Sequence, residues 1–127
     1  MKKRSQYIAD FLNFIEQAKL DYLHSAEALE TEQKRQEDLL HDIEFCMDSR
    51  ERSKLATQLH RCRLERRRLK DIQEETSIIY NFVTEPANKK VLDKMASQLL
   101  GSLRKSESYH ENRFYRRRLK EGEKAND

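Results

Sequence analysis

Two short basic runs carry the side chains best suited to binding chemistry in this chain of 127 residues. The first run spans residues 61–70, and its cations with the spacing of one helix surface are Arg63, Arg66, Arg67 and Lys70. A helix with this pattern can lie along the phosphates of a nucleic acid. The alternative is that these cations pair with acidic side chains inside the protein or simply face solvent.

The second basic run lies near the C-terminus and mixes cations with aromatic rings. Its members are Arg113, Phe114, Tyr115, Arg116, Arg117, Arg118 and Lys120. The rings suit stacking on bases while the cations meet phosphates. Tyr and Arg are also enriched at protein interfaces. A third interpretation packs the two rings back on the fold and leaves the arginines in solvent.

No constellation of side chains predicts catalysis, a metal or a cofactor. The side chains with the chemistry of metal ligands are His24, His41, His60, His110, Cys46 and Cys62. His60 and Cys62 fall on different faces of a helix, so four ligands do not converge as zinc requires. Two isolated glycines exclude a glycine-rich phosphate loop. We therefore expect neither an enzyme nor a small-molecule ligand.

The composition predicts an all-α chain. Charged residues make up 39% and hydrophobic residues 36% of the sequence, with two glycines, one proline and no tryptophan. This balance is typical of long helices with narrow apolar seams. No apolar run reaches membrane-spanning length. With two cysteines and no signal-like N-terminus, we expect free thiols and a cytoplasmic protein.

The stretch 51–83 organises the predicted fold. Its apolar positions recur every three or four residues, as on one helix face, at Leu55, Leu59, Cys62, Leu69, Ile72, Thr76, Ile79 and Val83. Residues 6–47 also lack Pro and Gly and show the same period. Between the two stretches, Asp48 with Glu51 fits a capping box, and Ser49 is a second N-cap candidate. So short a break predicts a long antiparallel, coiled-coil-like hairpin.

Charge is expected to fix the register of this hairpin. Residues 1–47 carry six basic and ten acidic side chains, whereas residues 48–83 carry nine basic and six acidic ones. An antiparallel pairing places the acidic cluster Glu30, Glu32, Glu37 and Asp38 against the basic cluster Arg61, Arg63, Arg66, Arg67 and Arg68. We therefore predict ion pairs across the middle of the hairpin.

A third helix is predicted from about Ala87 to Ser106, after a break at Pro86. Its apolar face consists of Val91, Leu92, Met95, Leu99 and Leu103. We expect it to fold back over the open end of the hairpin, which would give a three-helix bundle at the base with a two-helix arm. Residues 1–106 then form one domain, and residues 107–127 form a basic and aromatic segment with a polar tail.

The tip of the hairpin carries more apolar side chains than two helices can cover. The surplus consists of Leu39, Leu40, Ile43, Phe45 and Leu59. Such a patch invites a second copy of the chain, so we predict a homodimer that associates through the tip.

Four strings of the sequence resemble small helical proteins of unknown function from phages and prophages of Gram-positive bacteria. They are FLNFIEQAKLDYLHSAEAL, EDLLHDIEF, RRRLKDIQEE and LDKMASQLLGSLRKSE. The resemblance implies an accessory phage protein that acts by binding. Its partner would be a host protein or a protein–nucleic-acid assembly, as for an inhibitor of a defence nuclease such as an anti-CRISPR protein.

The sequence thus favours a non-enzymatic helical binding protein of this kind. One alternative is a protein that binds nucleic acid directly through residues 113–120. Another is a structural homo-oligomer with no other ligand.

Overall fold

The chain folds into two long helices and a third, shorter helical rod. The structure is a computed structural model that describes residues 1–113 and residue 119. Its elements are α1 (Arg4–Phe45), α2 (Ser49–Thr84), α3 (Pro86–Lys94), a π-helical turn (Met95–Leu99) and α4 (Leu100–Asn112). The last three elements are continuous and are called the third helix below. The predicted all-α class, with a long antiparallel hairpin and a third helix at its open end, is confirmed.

The hairpin turns where the sequence predicted. Asp48 has extended backbone and caps α2, because its carboxylate Oδ1 accepts a hydrogen bond from the Arg50 N–H at 3.3 Å. The Asp48 carbonyl accepts from the Arg52 N–H at 3.0 Å and starts the helix. The first bond satisfies a donor that a helix start would otherwise leave unpaired, and the second is the first α-helical bond of α2.

A narrow seam holds α1 and α2 together. The buried side chains of the seam are Ile15, Ala18, Ser25, Glu32 and Leu39 on α1 and Cys62, Leu69 and Val83 on α2. Most of them repeat every seven residues, as in a coiled coil. Nearer the base, the rings of Tyr22 and Tyr80 stack with their centroids 4.5 Å apart.

The predicted ion pairs across the hairpin do not form among the described residues. The acidic cluster pairs along its own helix instead: Glu30 with Lys34 at 3.6 Å and Glu32 with Arg35 at 3.0 Å. Side chains three or four residues apart are already neighbours on a helix, so these pairs form without reaching across the seam. Polar links across the hairpin are instead hydrogen bonds, from Arg66 Nη1 to Gln36 Oε1 at 2.7 Å and from the Cys62 thiol to Glu32 Oε2 at 3.3 Å.

The third helix runs along the first part of α1. Near its start, Leu92 lies beside Leu12 and Ile15, whereas near its end Glu107 accepts hydrogen bonds from the N–H and hydroxyl of Ser5. Since rising numbers on the third helix meet falling numbers on α1, the two are antiparallel. The third helix therefore continues in the same direction as α2.

The prediction that the third helix folds back to make a three-helix bundle is therefore wrong. Glu85 is extended and Pro86 is the first residue of α3, as is common at a helix start. This break shifts the chain sideways without reversing it. Three helices meet near the break, where Ile15, Val83 and Leu92 line one small cavity.

The third helix is also longer than predicted. It ends at Asn112 and not at Ser106, so the predicted second segment begins inside α4. The extra turns are held by Glu107 with Ser5 and by an ion pair between Glu111 and Lys3. The hydrogen bonds from Ser5 also lower the pKa of the Glu107 carboxyl below its ordinary value.

A π-helical turn adjusts the packed face of the third helix. The Leu100 N–H donates to the Met95 carbonyl, one residue further back than in an α-helix. As a result Leu100 is buried against its neighbours while Leu99 faces solvent. Gly101 follows at once and is helical, although a Cβ there would have no atom within 4 Å.

We expect Gly101→Ala to stabilise the protein by about 0.5–1 kcal/mol. The substitution fills empty space and reduces the backbone freedom of the unfolded chain. Urea unfolding followed by circular dichroism measures the change. A loss of stability would mean that the π-helical turn needs the glycine.

Candidate nucleic-acid interface

One of the two predicted basic runs lies in a shallow concavity halfway along the hairpin. Gln36 of α1 and four cations of α2 line a space of about 270 Å³. The cations are Arg63, Arg66, Arg67 and Lys70. We call this surface the basic groove.

Helix geometry brings the four cations together. Arg63, Arg67 and Lys70 follow each other at steps of four and three residues, and they rise about 10.5 Å along the helix axis. Arg66 is half-buried, and its Nη1 is held by Gln36. The outer three side chains are exposed. The groove is thus a row of cations with one anchored member.

None of the four cations of the basic groove has a described carboxylate within ion-pair distance, and they differ from other unpaired cations of residues 1–113, such as Lys90 and Lys94, in lying together in one concavity. In residues 1–113, each Lys or Arg that lies within 4.0 Å of a carboxylate belongs to another part of the surface. Moreover, Arg66 Nε is buried and makes no hydrogen bond there. An unpaired buried donor costs about 1–3 kcal/mol, so this part of the hairpin is less stable than a fully hydrogen-bonded one would be.

A second concavity, of about 460 Å³, opens on the other side of the hairpin. Arg61 lines this space and Arg63 lines the basic groove. Two residues apart on a helix correspond to a rotation of about 200°, so the two spaces face opposite ways. The second space contains Glu32, Arg35, Arg61 and Glu65, so its charges are mixed. It offers no surplus of one sign to attract a charged ligand.

A buried thiol and carboxylate lie at the bottom of the second concavity. The Cys62 thiol donates to Glu32 Oε2 at 3.3 Å and lies 3.4 Å from the Glu32 carbonyl. Burial raises the pKa of the Cys62 thiol, and the neighbouring Glu32 carboxylate raises it further. Because the thiolate is the reactive form, Cys62 is an inert structural residue.

We expect Cys46 to react with iodoacetamide in the folded protein well before Cys62. Cys46 is half-exposed beside the turn, whereas Cys62 is buried and holds its proton over the neutral range. Mass spectrometry of peptides after timed labelling measures both rates, and labelling in urea should equalise them. Equal rates in the native protein would contradict the seam described here.

Sequence reasoning missed two polar members of this region, Glu32 and Gln36. The sequence analysis places Glu32 in an acidic cluster that pairs with arginines across the hairpin, yet it is buried in the seam and pairs along its own helix. The available signal was its place in the seven-residue series Ala18, Ser25, Glu32, Leu39. Gln36 carried no signal of its own, because only the partner helix gives it a role.

The other predicted sites are only partly within the described chain. Arg113 is exposed directly after α4, whereas Phe114, Tyr115, Arg116, Arg117, Arg118 and Lys120 lie outside the described residues. In residues 1–113 and 119, no three His, Cys, Asp or Glu side chains are placed to hold a metal ion.

The hairpin tip is divided between core and surface. Leu39 is buried in the seam and is therefore not available for self-association as predicted. Ile43 and Leu59 are half-buried. Leu40 and Phe45 are exposed, as is Met47 in the turn. The apolar surface at the tip is thus smaller than the sequence indicated and is centred on the turn.

The comparisons with known proteins do not add a relative. No family model, no curated protein and no solved structure matches this chain. None of the described helices is long and apolar enough to cross a membrane.

Proposed function

We propose that this chain is a non-enzymatic binding protein whose basic groove holds the phosphate backbone of a nucleic acid. The observation that supports the proposal is the row of four cations with no carboxylate within ion-pair distance in residues 1–113. Each cation that meets a phosphate releases condensed counterions, which supplies favourable binding free energy.

The side-chain types in the groove suit this task. Three of the four cations are arginines, whose planar guanidinium groups match two phosphate oxygens at once. The cations form a single row on one helix, so they follow a backbone and do not read bases. Binding is therefore expected to be largely independent of sequence.

The proposed setting is that of an accessory phage protein in the cytoplasm of a host cell. There it would engage a host protein or a protein–nucleic-acid assembly, as an inhibitor of a defence nuclease does. The support for this setting is the resemblance of four sequence strings, such as RRRLKDIQEE, to phage and prophage proteins. Residues 113–120 remain the alternative nucleic-acid contact.

Titration of a labelled DNA duplex of about two helical turns tests the proposed binding. Fluorescence anisotropy is recorded between about 50 and 200 mM salt, with a polyglutamate of equal charge as competitor. The proposal predicts binding that weakens steeply and log-linearly with salt and that polyglutamate displaces poorly. Absence of binding at the lowest salt, or equal affinity for polyglutamate, would overturn it.

The chain is also proposed to form a homodimer through its tip. Phe45 and Met47 are exposed there, next to the half-buried Ile43. We expect Phe45→Lys to abolish the dimer in sedimentation equilibrium while helical content stays the same, since Phe45 contributes little to the seam. A wild-type chain that sediments as a monomer at micromolar concentration would contradict the dimer.

A further inference from the structure

Three of the exposed aromatic rings near the base of the hairpin lie far from the basic groove, and more than half of each is in solvent. Tyr7 and Phe14 on α1 are 59% and 57% exposed, and Phe82 on α2 is 64% exposed. Rings of this size are costly to leave in water, and they are frequent anchors in protein interfaces. We call these three residues the aromatic face.

The rings of the aromatic face lie on one side of the hairpin. Phe14 precedes Arg35 by three seven-residue repeats, and Phe82 follows Arg61 by three such repeats. Positions seven residues apart keep the same side of a supercoiled helix pair. Since Arg35 and Arg61 line the concavity at Cys62, Phe14 and Phe82 share that side. The basic groove faces the opposite side.

Acidic side chains border the aromatic face. Asp21 lies seven residues after Phe14, and Glu75 lies seven residues before Phe82, so both share its side. Lys2 pairs with the Asp10 carboxylate and also lies over the Tyr7 ring, 4.8 Å from its centroid. Asp10 is therefore close to Tyr7. Lys2 and the exposed Arg4, three residues before Tyr7, are the cations next to these rings, so the three carboxylates leave one net negative charge around them.

We infer that the aromatic face docks an amphipathic basic helix from a partner protein. Rings two helical turns apart, such as Tyr7 and Phe14, match apolar side chains at i and i+7 of a docked helix. Lysines or arginines that flank those apolar side chains meet Asp10, Asp21 and Glu75. Charge complementarity of this kind selects the partner and speeds association.

Charge also argues against a second copy of the chain on the aromatic face. In a symmetric dimer the same patch meets itself, so Asp21 and Glu75 of both copies would be brought together. Like charges opposed at an interface are unfavourable. A partner with a basic segment has the chemistry of a nucleic-acid-binding protein. The inference of a docking site on the aromatic face does not depend on the proposed function of the basic groove.

Binding of a synthetic peptide to the full-length chain tests the inference. The probe is an amphipathic helical peptide of leucine and lysine, about four turns long, and its control has glutamate in place of lysine. In a fluorescence anisotropy titration, we expect the leucine–lysine peptide to bind and the leucine–glutamate control peptide not to bind. The double variant Phe14→Ser, Phe82→Ser should weaken binding about tenfold or more, because it removes two anchors. The charge-reversed pair Asp21→Lys, Glu75→Lys should weaken binding as well.

The matched control is the double variant Val91→Ser, Leu99→Ser, which removes exposed apolar side chains from the third helix. It should bind the basic peptide as the wild type does.

Equal binding by all variants, or by both peptides, would overturn the inference. So would a chain that binds only after Arg116, Arg117 and Arg118 are replaced with alanine, since its own C-terminal segment would then hold the site. A dimer that dissociates on Phe14→Ser, Phe82→Ser would assign the face to a second copy instead.

DNA binding provides a separate measurement of the basic groove. The Phe14→Ser, Phe82→Ser variant should bind DNA normally, because the two surfaces lie on opposite sides of the hairpin. Loss of peptide binding alone would therefore leave the proposed function standing, and loss of DNA binding alone would leave the docking site standing.

Discussion

Replacing Arg63, Arg67 and Lys70 together with alanine is expected to weaken DNA binding by roughly two to three orders of magnitude near 0.1 M salt. Each of these cations is exposed in the basic groove and is free to meet one phosphate. A lost phosphate contact lowers the slope of log affinity against log salt by about 0.9, so the slope should flatten by up to about three. Helical content should be unchanged, because none of the three is part of the seam.

A control of equal charge separates the groove from net charge alone. Lys90, Lys94 and Lys105 are exposed on the third helix, and replacing them with alanine removes the same three charges. That variant should lose only a small part of the affinity, through weaker long-range attraction. An equal loss in both variants would show that binding depends on overall charge. If only replacement of Arg116, Arg117 and Arg118 abolished binding, the C-terminal run would be the contact and the groove assignment would be wrong.

Leu69→Ala is expected to lower the free energy of unfolding by about 2–5 kcal/mol, the range for buried leucines. Leu69 is 6% exposed and belongs to the narrow seam between α1 and α2. Two helices have no second layer of core side chains to close the space that its truncation leaves. Since small proteins are stable by only about 5–15 kcal/mol, this loss should shift the urea midpoint strongly.

Leu64→Ala provides the matched comparison on the same helix. Leu64 is 58% exposed, so its truncation should change the free energy of unfolding by less than about 0.5 kcal/mol. Similar losses for Leu64 and Leu69 would mean that a second surface covers α2 in solution. A dimer would be the first explanation to examine, by repeating the unfolding at several protein concentrations.

The hairpin was predictable because its signals are local. The period of apolar residues on each side of Asp48, and the short polar side chain of Asp48 itself, depend only on neighbours in sequence. The path of the third helix depends on contacts between distant residues. Ser5 and Glu107 are separated by 102 positions, and both are polar, so the apolar pattern of the sequence does not predict that they pair. Periodicity shows that a helix has a packed face, but not which helix covers it.

The basic groove was half-predictable for the same reason. The spacing of Arg63, Arg66, Arg67 and Lys70 on one helix surface is visible in the sequence. Whether an acidic partner neutralises them depends on the competition between pairs along a helix and pairs across the hairpin. Along-helix pairs such as Glu32 with Arg35 prevail, because both side chains are already held at the right separation.

The antiparallel course of the third helix has a consequence for synthesis on the ribosome. The hairpin can close once α2 has emerged, because its seam involves only α1 and α2. The first turn of α1 gains its partners much later, since Lys3 and Ser5 contact Glu111 and Glu107. At about 5–20 residues per second, this first turn of α1 waits for several seconds without a partner. The first turns of α1 are thus packed well after they are made, so a nascent chain stopped after α2 should leave Leu12, which lines one cavity with Leu92 in the complete fold, uncovered for chaperones.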